Sequence, residues 1–468
     1  MAIKIYNTLA RSKEELKPGA PPLVTFYVCG PTVYDYIHIG NARVFIIFDV
    51  IRRYLEYRGY DVKLVQNYTD IDDKMINRAN EQGITVPELA ERFINAYQED
   101  VQALRVRPAD VTPRATEHID DIIELIERLL ENGFAYISDG DVYYDTEKFA
   151  DYGQLSHQKQ DELLMGARVE PGEKKRSPLD FVLWKQKKEG EPSWDSPWGE
   201  GRPGWHIECS AMSTHFMEDT LDIHAGGADL IFPHHENEIA QTWGADQRPL
   251  ARYWMHAGYL NIEEQKMSKS LGNVRTVHEL IQEYDPLDLR YLILSAHYRS
   301  PLNFSGELVA QSRAGRQRLQ EMVTNMLKAR ENASEVEGGH EETLKAALNE
   351  ARSRFVEAMD DDFNTADAFA VLFDLARNCN IYLKEAHPYN RSLLEESLRF
   401  YREANEIFEI IDISSPETLD EEISAMIARR NEARANKDFA AADQIRDELQ
   451  QRGIILEDTP HGTRWKKK

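Results

Sequence analysis

Cysteine is almost absent from this chain: Cys29, Cys209 and Cys379 are the whole supply, far apart and odd in number. Such a set builds no disulfide framework, so any core has to hold by packing. Taken singly, each reads as a small buried hydrophobe. Long apolar runs are missing too. No stretch approaches the roughly 20 apolar residues that cross a bilayer. The first residues, MAIKIYNTLARSKEELKPG, carry charge from position 4 and lack the apolar segment of a secretory signal. The expectation is a cytoplasmic protein with no membrane partner. Basic residues are outnumbered, 56 Lys and Arg against 81 Asp and Glu, for a net charge of −25. That balance excludes a surface that is basic all round, but it describes the whole surface and not one face. A nucleic-acid partner would have to be held by local basic stretches such as EKKRSP (173–178), WKQKK (184–188) and RWKKK (464–468).

What is present is enough chain for several cores: 468 residues, 42% hydrophobic and 29% charged. A strand near 22–28 (PLVTFYV) leads to a helix near 41–58, a strand near 61–66 (DVKLVQ) and a helix from about 71. Strand, helix and strand at this spacing predict a parallel sheet. Ligands of such sheets bind beyond the carboxyl ends of the strands, where residues 29–41 fall. Residues 117–145 read as an amphipathic helix followed by a hairpin, and the stretch to about 200, rich in Pro, Gly, Trp and charge, reads as an insertion. Alternation resumes with LDIHAGG (221–227), FPHHENEIAQTWG (232–244) and RYWMHAGYL (252–260). After about residue 304 the pattern is helical, over 306–330, 342–358, 363–386 and 391–411, with a polar linker at 331–342. The last 45 or so residues predict two helices and a short hairpin.

Two motifs carry chemistry. YIHIGNAR (36–43) stands where a strand ends and a helix begins. It reads as a turn in which Gly40 bends and Asn41 caps the helix, or as a nucleotide cradle in which His38 and Asn41 donate to phosphates at a helix N-terminus. Some 225 residues later stands KMSKSLGN (266–273), which alone would be a solvated loop. Paired with HIGN, it supplies Lys266 and Lys269 to a triphosphate, where they would neutralise charge building at the α-phosphate and on the departing pyrophosphate.

In this order the two strings resemble the HIGH and KMSKS signatures of class I aminoacyl-tRNA synthetases. Asn41 departs from the family pattern, which has His in the fourth position; it donates a hydrogen bond but carries no positive charge. The flanking FYVCGPTVYDYIHIGNAR, GRPGWHIECSAM and DIHAGGADLIFPHHENEIAQ, with the terminal KDFAAADQIRDEL and GTRW, are similar to those of cysteinyl-tRNA synthetases over nearly the whole chain. The resemblance implies an α/β fold: a Rossmann-like parallel-sheet catalytic domain at 1–305 with a connective insertion at about 115–200, an α-helical anticodon-binding domain at 306–415, and a small C-terminal module at 416–468. It implies activation of L-cysteine by ATP to cysteinyl-adenylate and transfer to the 3′ end of tRNA(Cys), by a monomer.

Site residues carry over from the resemblance. His38, Asn41, Lys266 and Lys269 are the expected catalytic residues, and with Gly40 they form the expected ATP cradle, Mg2+ accompanying the nucleotide. Gly30, Thr69, Trp205 and Asp229 are expected to hold the backbone groups of cysteine. Cys29, Cys209, His234 and Glu238 are the implied ligands of one Zn2+, a donor set that suits this metal. His234 and Glu238 stand four apart on a predicted helix and so share a face. The neighbouring HHENE fails the metalloprotease pattern HExxH, since position 239 is Ile. His206, His224 and His256 fit a core or supporting role as well as they fit substrate contact, and Cys379 is expected to be buried and inert. Two other readings share the motifs. One is a ligase joining cysteine to an amino-sugar derivative, which would not need the helical third. The other is a non-catalytic tRNA-binding paralogue, for which the loss of a lysine or a zinc ligand would have spoken.

Overall fold

The computed structural model describes residues 2–159, 174–217, 220–263, 265–266, 274–335, 340–386, 388–413, 426–431, 433, 439–451, 454–459 and 462–467. The strand Leu23–Val28, LVTFYV, is built from β-branched and aromatic residues that favour extended backbone. It pairs in parallel with Asp61–Gln66 on one side and with Leu221–Gly227 on the other, and Ala251–Ala257 adds beyond the latter, again in parallel. The chain therefore winds outward from Leu23–Val28 first one way and then the other. Its reversal point lies between Leu23–Val28 and Leu221–Gly227, and the crevice that such a reversal opens lies beyond their carboxyl ends. Cys29 follows the first of these strands directly.

The helix Ile39–Tyr57 makes the crossover to Asp61–Gln66 and buries Phe45, Ile46, Ile47, Val50, Ile51 and Leu55. Its start differs from the expected position 41. His38, not Asn41, is the N-cap, with φ −91° and ψ 163°. Asn41 sits in the first turn and closes a capping box, because its side chain reaches back to the His38 amide while the imidazole accepts from the Asn41 amide.

Two pieces of sheet were not legible. Lys4–Asn7 and Ser12–Glu15 form a hairpin that covers the edge strand Ala251–Ala257, with Thr8 N donating to Trp254 O at 2.9 Å and Trp254 N to Asn7 Oδ1 at 3.1 Å. In the insertion, the expected hairpin Ala135–Ser138 and Asp141–Tyr144 is joined by Phe181–Gln186 and Gly201–Pro203 into a four-stranded antiparallel sheet. The last strand has only three residues, too few for an alternating pattern.

Helices Gly306–Glu331, Glu341–Asp360, Thr365–Glu385 and Arg391–Phe408 pack together as a bundle. Buried polar residues tie the bundle to the sheet region. Arg290, on the helix Pro286–Leu294, is fully buried and donates to Asp49 Oδ2 at 2.7 Å, Leu104 O at 3.0 Å and Phe408 O at 2.6 Å. Buried Asp362 accepts from the Tyr6 amide at 2.8 Å, Tyr298 Oη at 2.7 Å and Arg299 Nε at 2.7 Å. Cys379 is buried in the bundle, as expected, and burial pushes its thiol up to about 12.

Truncating Arg290 removes one of the two guanidinium groups on buried Asp49, the other being that of Arg53, takes a donor from two carbonyls and leaves a side-chain-sized void at once. Arg290→Ala is expected to lower stability by about 3–5 kcal/mol, measured by urea unfolding. A loss below about 1 kcal/mol, the range of exposed pairs, would show that Arg290 is no strut.

Candidate functional site

The capping box sets the chemistry of the HIGN turn. His38 Nδ1 accepts from Asn41 N at 3.1 Å, and Asn41 Oδ1 accepts from His38 N at 3.2 Å. The neutral imidazole then carries its hydrogen on Nε2, and the part of Asn41 outside the box is its NH2 group. No acidic residue occupies the first turn of Ile39–Tyr57, so the positive end of the helix dipole stays uncompensated by side chains there. Of the residues that flank the KMSKS motif, those after it are tied to this turn and those at its start extend a strand pair. Gln265–Lys266 pairs antiparallel with Asn261–Ile262. On the other side Ile39 N donates to Arg275 O at 3.1 Å, Val277 N donates to Ile37 O at 2.8 Å, and His38 bridges Thr276. Lys266 lies in the strand as backbone, and Lys269 lies outside the described residues.

At the sheet reversal point the expected metal ligands converge. Cys29 comes from the end of Leu23–Val28, Cys209 from the helix Trp205–Phe216, His234 from the turn Ile231–His235, and Glu238 from the helix Glu236–Asp246. One ligand atom of each lies within 4.8 Å of the others, and all four residues are buried. His234 and Glu238 were expected on one helix. The backbone instead leaves helical geometry at Phe232 (φ −137°, ψ 133°) and enters Glu236–Asp246 through a wide π-type turn. The two residues nonetheless meet, His234 Nε2 standing 3.1 Å from Glu238 Oε1. A second set shares Cys29 and Glu238 and adds His224 and His235. His235 Nε2 is 3.2 Å from Cys29 Sγ, and His224 Nε2 is 3.3 Å from Glu238 Oε2.

Supporting groups hold the far nitrogens of these rings. His206 Nδ1 is 2.8 Å from His234 Nδ1; His256 Nε2 is 2.8 Å from His235 Nδ1, and His256 Nδ1 is in turn 2.7 Å from Thr8 Oγ1. Of the three histidines left open between support and substrate contact, His206 and His256 hold ligand-candidate rings, and His224 lies among the ligand candidates themselves. Burial drives His206 and His256 down to about 3 and His234 and His235 well below the usual range, so all four rings are neutral. Burial also pushes the Cys29 thiol well up. The hydrogen bond with Cys29 pulls Cys209 down, but burial and the charges of Glu238 and Glu208 outweigh it and leave that thiol raised. Neutral imidazoles and thiols that no nearby positive side chain ionises are what a divalent cation would need to find and deprotonate. Glu238 Oε2 and His224 Nδ1 make no hydrogen bond among the described residues. The donor set therefore fits a soft divalent metal.

The residues expected at the cysteine backbone line the same crevice in part. The Gly30 amide donates to Asn67 Oδ1 at 2.9 Å, and Asn67 Nδ2 donates to Thr69 Oγ1 at 3.4 Å. Trp205 is 38% exposed and stacks on His234 with ring centroids 4.5 Å apart. Asp229 is exposed, in the short helix Ala228–Leu230 that follows the strand Leu221–Gly227.

Family models match three stretches of the chain. The class I (C) tRNA synthetase catalytic domain matches residues 15–314, the DALR domain 354–411, and the cysteinyl-tRNA ligase anticodon binding domain 417–465. The cysteine–tRNA ligase of Anoxybacillus flavithermus is 55% identical over 469 residues, covering 100% of both chains. The chain belongs to the cysteine–tRNA ligase family. The ligase of Geobacillus thermodenitrificans is 56% identical over 472 residues, with 100% of this chain and 99% of that one covered. Among solved structures, Mycobacterium tuberculosis methionyl-tRNA synthetase in complex with methionyl-adenylate shares the fold, with a TM-score of 0.64 at 16% identity over 83% of this chain and 92% of that one.

Within this ligase, sequence reasoning passed over His235, Asn67 and Tyr27. His235 entered only as a failed HExxH, although the doubled histidine before Glu238 was a signal of a second ring at the site. Asn67 carried none, being an ordinary polar residue after a strand. Tyr27 stacks on His224 with ring centroids 5.1 Å apart and is one residue of the predicted strand near 22–28. Gly30 has a stricter reason than flexibility: a Cβ there would collide with the Asn67 carbonyl. Gly30→Ala is therefore expected to displace Cys29 and lower metal retention after dialysis at least about tenfold, the effect of disturbing what orients a ligand. Metal content equal to the parent's would show that this contact does not position the cluster.

Proposed function

We propose that the chain activates L-cysteine with ATP and transfers it to the 3′ end of tRNA(Cys), as a monomer in the cytoplasm. The observation that carries this reading is the convergence of Cys29, Cys209, His234 and Glu238 at the sheet reversal point, in a chain that matches cysteine–tRNA ligases from end to end. One chain supplies the whole candidate site, and the cytoplasm combines ATP, tRNA and reduced thiols. The working units are a catalytic part at 1–305 with the insertion at about 115–200, an anticodon-binding part at 306–415 and a C-terminal module at 416–468, in keeping with the family-model matches. An amino-sugar acceptor would leave the last two without a role.

The chemistry needs no protein nucleophile, because the cysteine carboxylate is anionic at neutral pH and attacks the α-phosphate in line. His38 Nε2, the side-chain NH2 group of Asn41 and the helix N-terminus at Gly40 present N–H groups to the phosphates. Lys266 and Lys269 bring positive charge to the α-phosphate and the leaving pyrophosphate, with Mg2+ accompanying ATP. The terminal ribose hydroxyl of tRNA(Cys) then attacks the activated carbonyl. Gly30, Thr69, Trp205 and Asp229 hold the amino acid's backbone groups. Zinc held by Cys29, Cys209, His234 and Glu238 supplies, when bound, a soft acceptor that favours a thiolate over a hydroxyl. His206 keeps the His234 ring turned toward that position.

A one-atom difference between cysteine and serine is beyond a merely shape-selective pocket, which separates close isosteres by about 1–3 kcal/mol. Cobalt substitution tests the metal's part. Cysteine is expected to raise a new sulfur-to-cobalt band and serine none; tight cysteine binding with an unchanged spectrum would place discrimination elsewhere. Lys269→Ala is expected to slow adenylation at least about a hundredfold with cysteine binding near normal, because its charge acts in the transition state. A raised KM for ATP at unchanged turnover in pyrophosphate exchange would make Lys269 a ground-state binder.

A further inference from the structure

On the far side of the helix that carries Cys209, a second group of donors meets. Asp121, in the first turn of the helix Ile119–Glu131, divides its carboxylate between two imidazoles: His118 Nδ1 is 2.8 Å from Oδ2 and His215 Nδ1 is 2.8 Å from Oδ1. His118 caps the same helix, and His215 stands in the last turn of Trp205–Phe216. The two rings lie 4.9 Å apart between centroids, and one donor atom from each of the three residues falls within 4.8 Å of the others. Asp121 and His215 open onto a cavity of about 520 Å³.

The charges around that cavity leave this trio distinct. Its other carboxylates are engaged by guanidinium groups: Arg128 reaches Glu124 at 3.0 Å and Asp246 at 3.2 Å, and Arg248 stands 3.7 Å from Asp246. Asp121 is held low by its two histidines, whose hydrogen bonds and charges outweigh the effect of burial. Two imidazoles and a carboxylate, with solvent to complete the shell, are the ligand set of an open borderline-metal site. Around a tetrahedral ion with bonds of about 2.0–2.2 Å, donors stand about 3.3–3.6 Å apart, so the two observed 2.8 Å edges would open by about half an ångström or more, within the 4.8 Å that spans the three donors. The proton balance is simple. Each ring gives up its Nδ1 proton on binding: a neutral ring re-forms as the Nε2–H tautomer and a charged one releases a proton to solvent, and the freed Nδ1 lone pair goes to the ion.

We propose that His118, Asp121 and His215 form a second divalent-metal site, of the Zn2+, Co2+ or Ni2+ class, bridging the start of Ile119–Glu131 to the end of Trp205–Phe216. The site contains no sulfur and shares no residue with the cysteine-lined cluster, so it stands whether or not that cluster binds zinc. Its ion clamps the C-terminal end of the helix whose other end carries Trp205, His206 and Cys209.

The test uses the full chain, loaded with zinc and dialysed against a weak chelator until no more than one equivalent remains, then titrated with Co2+ alone. Wild-type protein is expected to take up one further saturable equivalent with d–d absorption and no sulfur-to-cobalt charge transfer, and its Tm should rise with added metal. His215→Ala, at an exposed position, and the isosteric Asp121→Asn should each weaken this uptake at least about tenfold and abolish the Tm rise, while a circular dichroism spectrum like the parent's reports the fold. No further equivalent in the wild type, or undiminished uptake in both variants, would overturn the proposal.

Discussion

At the carboxyl edge of the parallel sheet, Cys29, Cys209, His224, His234, His235 and Glu238 lie together with almost no access to water. A polar group left unpaired in such a place costs about 1–3 kcal/mol, and an unpaired charge more. Much of the surrounding sequence answers that constraint. His206 and His256 take up second ring nitrogens, and Thr8 brings the N-terminal hairpin into the chain of contacts that begins at Cys29. Among the described residues, Glu238 Oε2, His224 Nδ1 and the neighbouring Tyr27 Oη are left without hydrogen bonds. A cation of the proposed kind would take Glu238 among its donors.

What sequence could reveal followed from periodicity and from rare residue types. The strands Asp61–Gln66 and Leu221–Gly227 carry dense apolar, β-branched or glycine-bounded patterns and lie where those patterns put them. The bundle helices follow their apolar period. Gly201–Pro203 and Ser12–Glu15 are too short or too polar to signal pairing, and they exist because a neighbouring edge needs a partner. At the site, the two distant cysteines were conspicuous in a chain nearly without them. His235 was hidden by its neighbour, and Asn67 by being commonplace. The cap at His38 was assigned to Asn41 because Asn is the stronger capping residue in general. Backbone geometry instead gave the cap to the residue with extended dihedrals.

The proposed nucleotide end and the proposed amino-acid end of the crevice are joined through backbone. Asn67 and Thr69, just after the strand Asp61–Gln66, hold Gly30 and Val33, and the chain runs from there to the HIGN turn. The other wall of that turn is the strand-like contact with Arg275 to Val277, downstream of the lysine-bearing motif. A shift at one end is thus passed on by hydrogen-bonded backbone, which gives less than side chains do.

The tie between Tyr6 and Asp362 has a consequence during synthesis. The amide and its carboxylate are 356 residues apart in the chain, and at about 5–20 residues per second the ribosome needs about 20–70 s to deliver the second after the first. Throughout that interval the N-terminal hairpin, which shields a sheet edge and reaches the cysteine cluster through Thr8, lacks its anchor in the bundle. Such long-range closures come late, because chain entropy opposes them until the intervening parts have folded. The last contact that fixes the hairpin therefore forms only once the bundle has emerged, which makes the order of translation part of how this edge is secured.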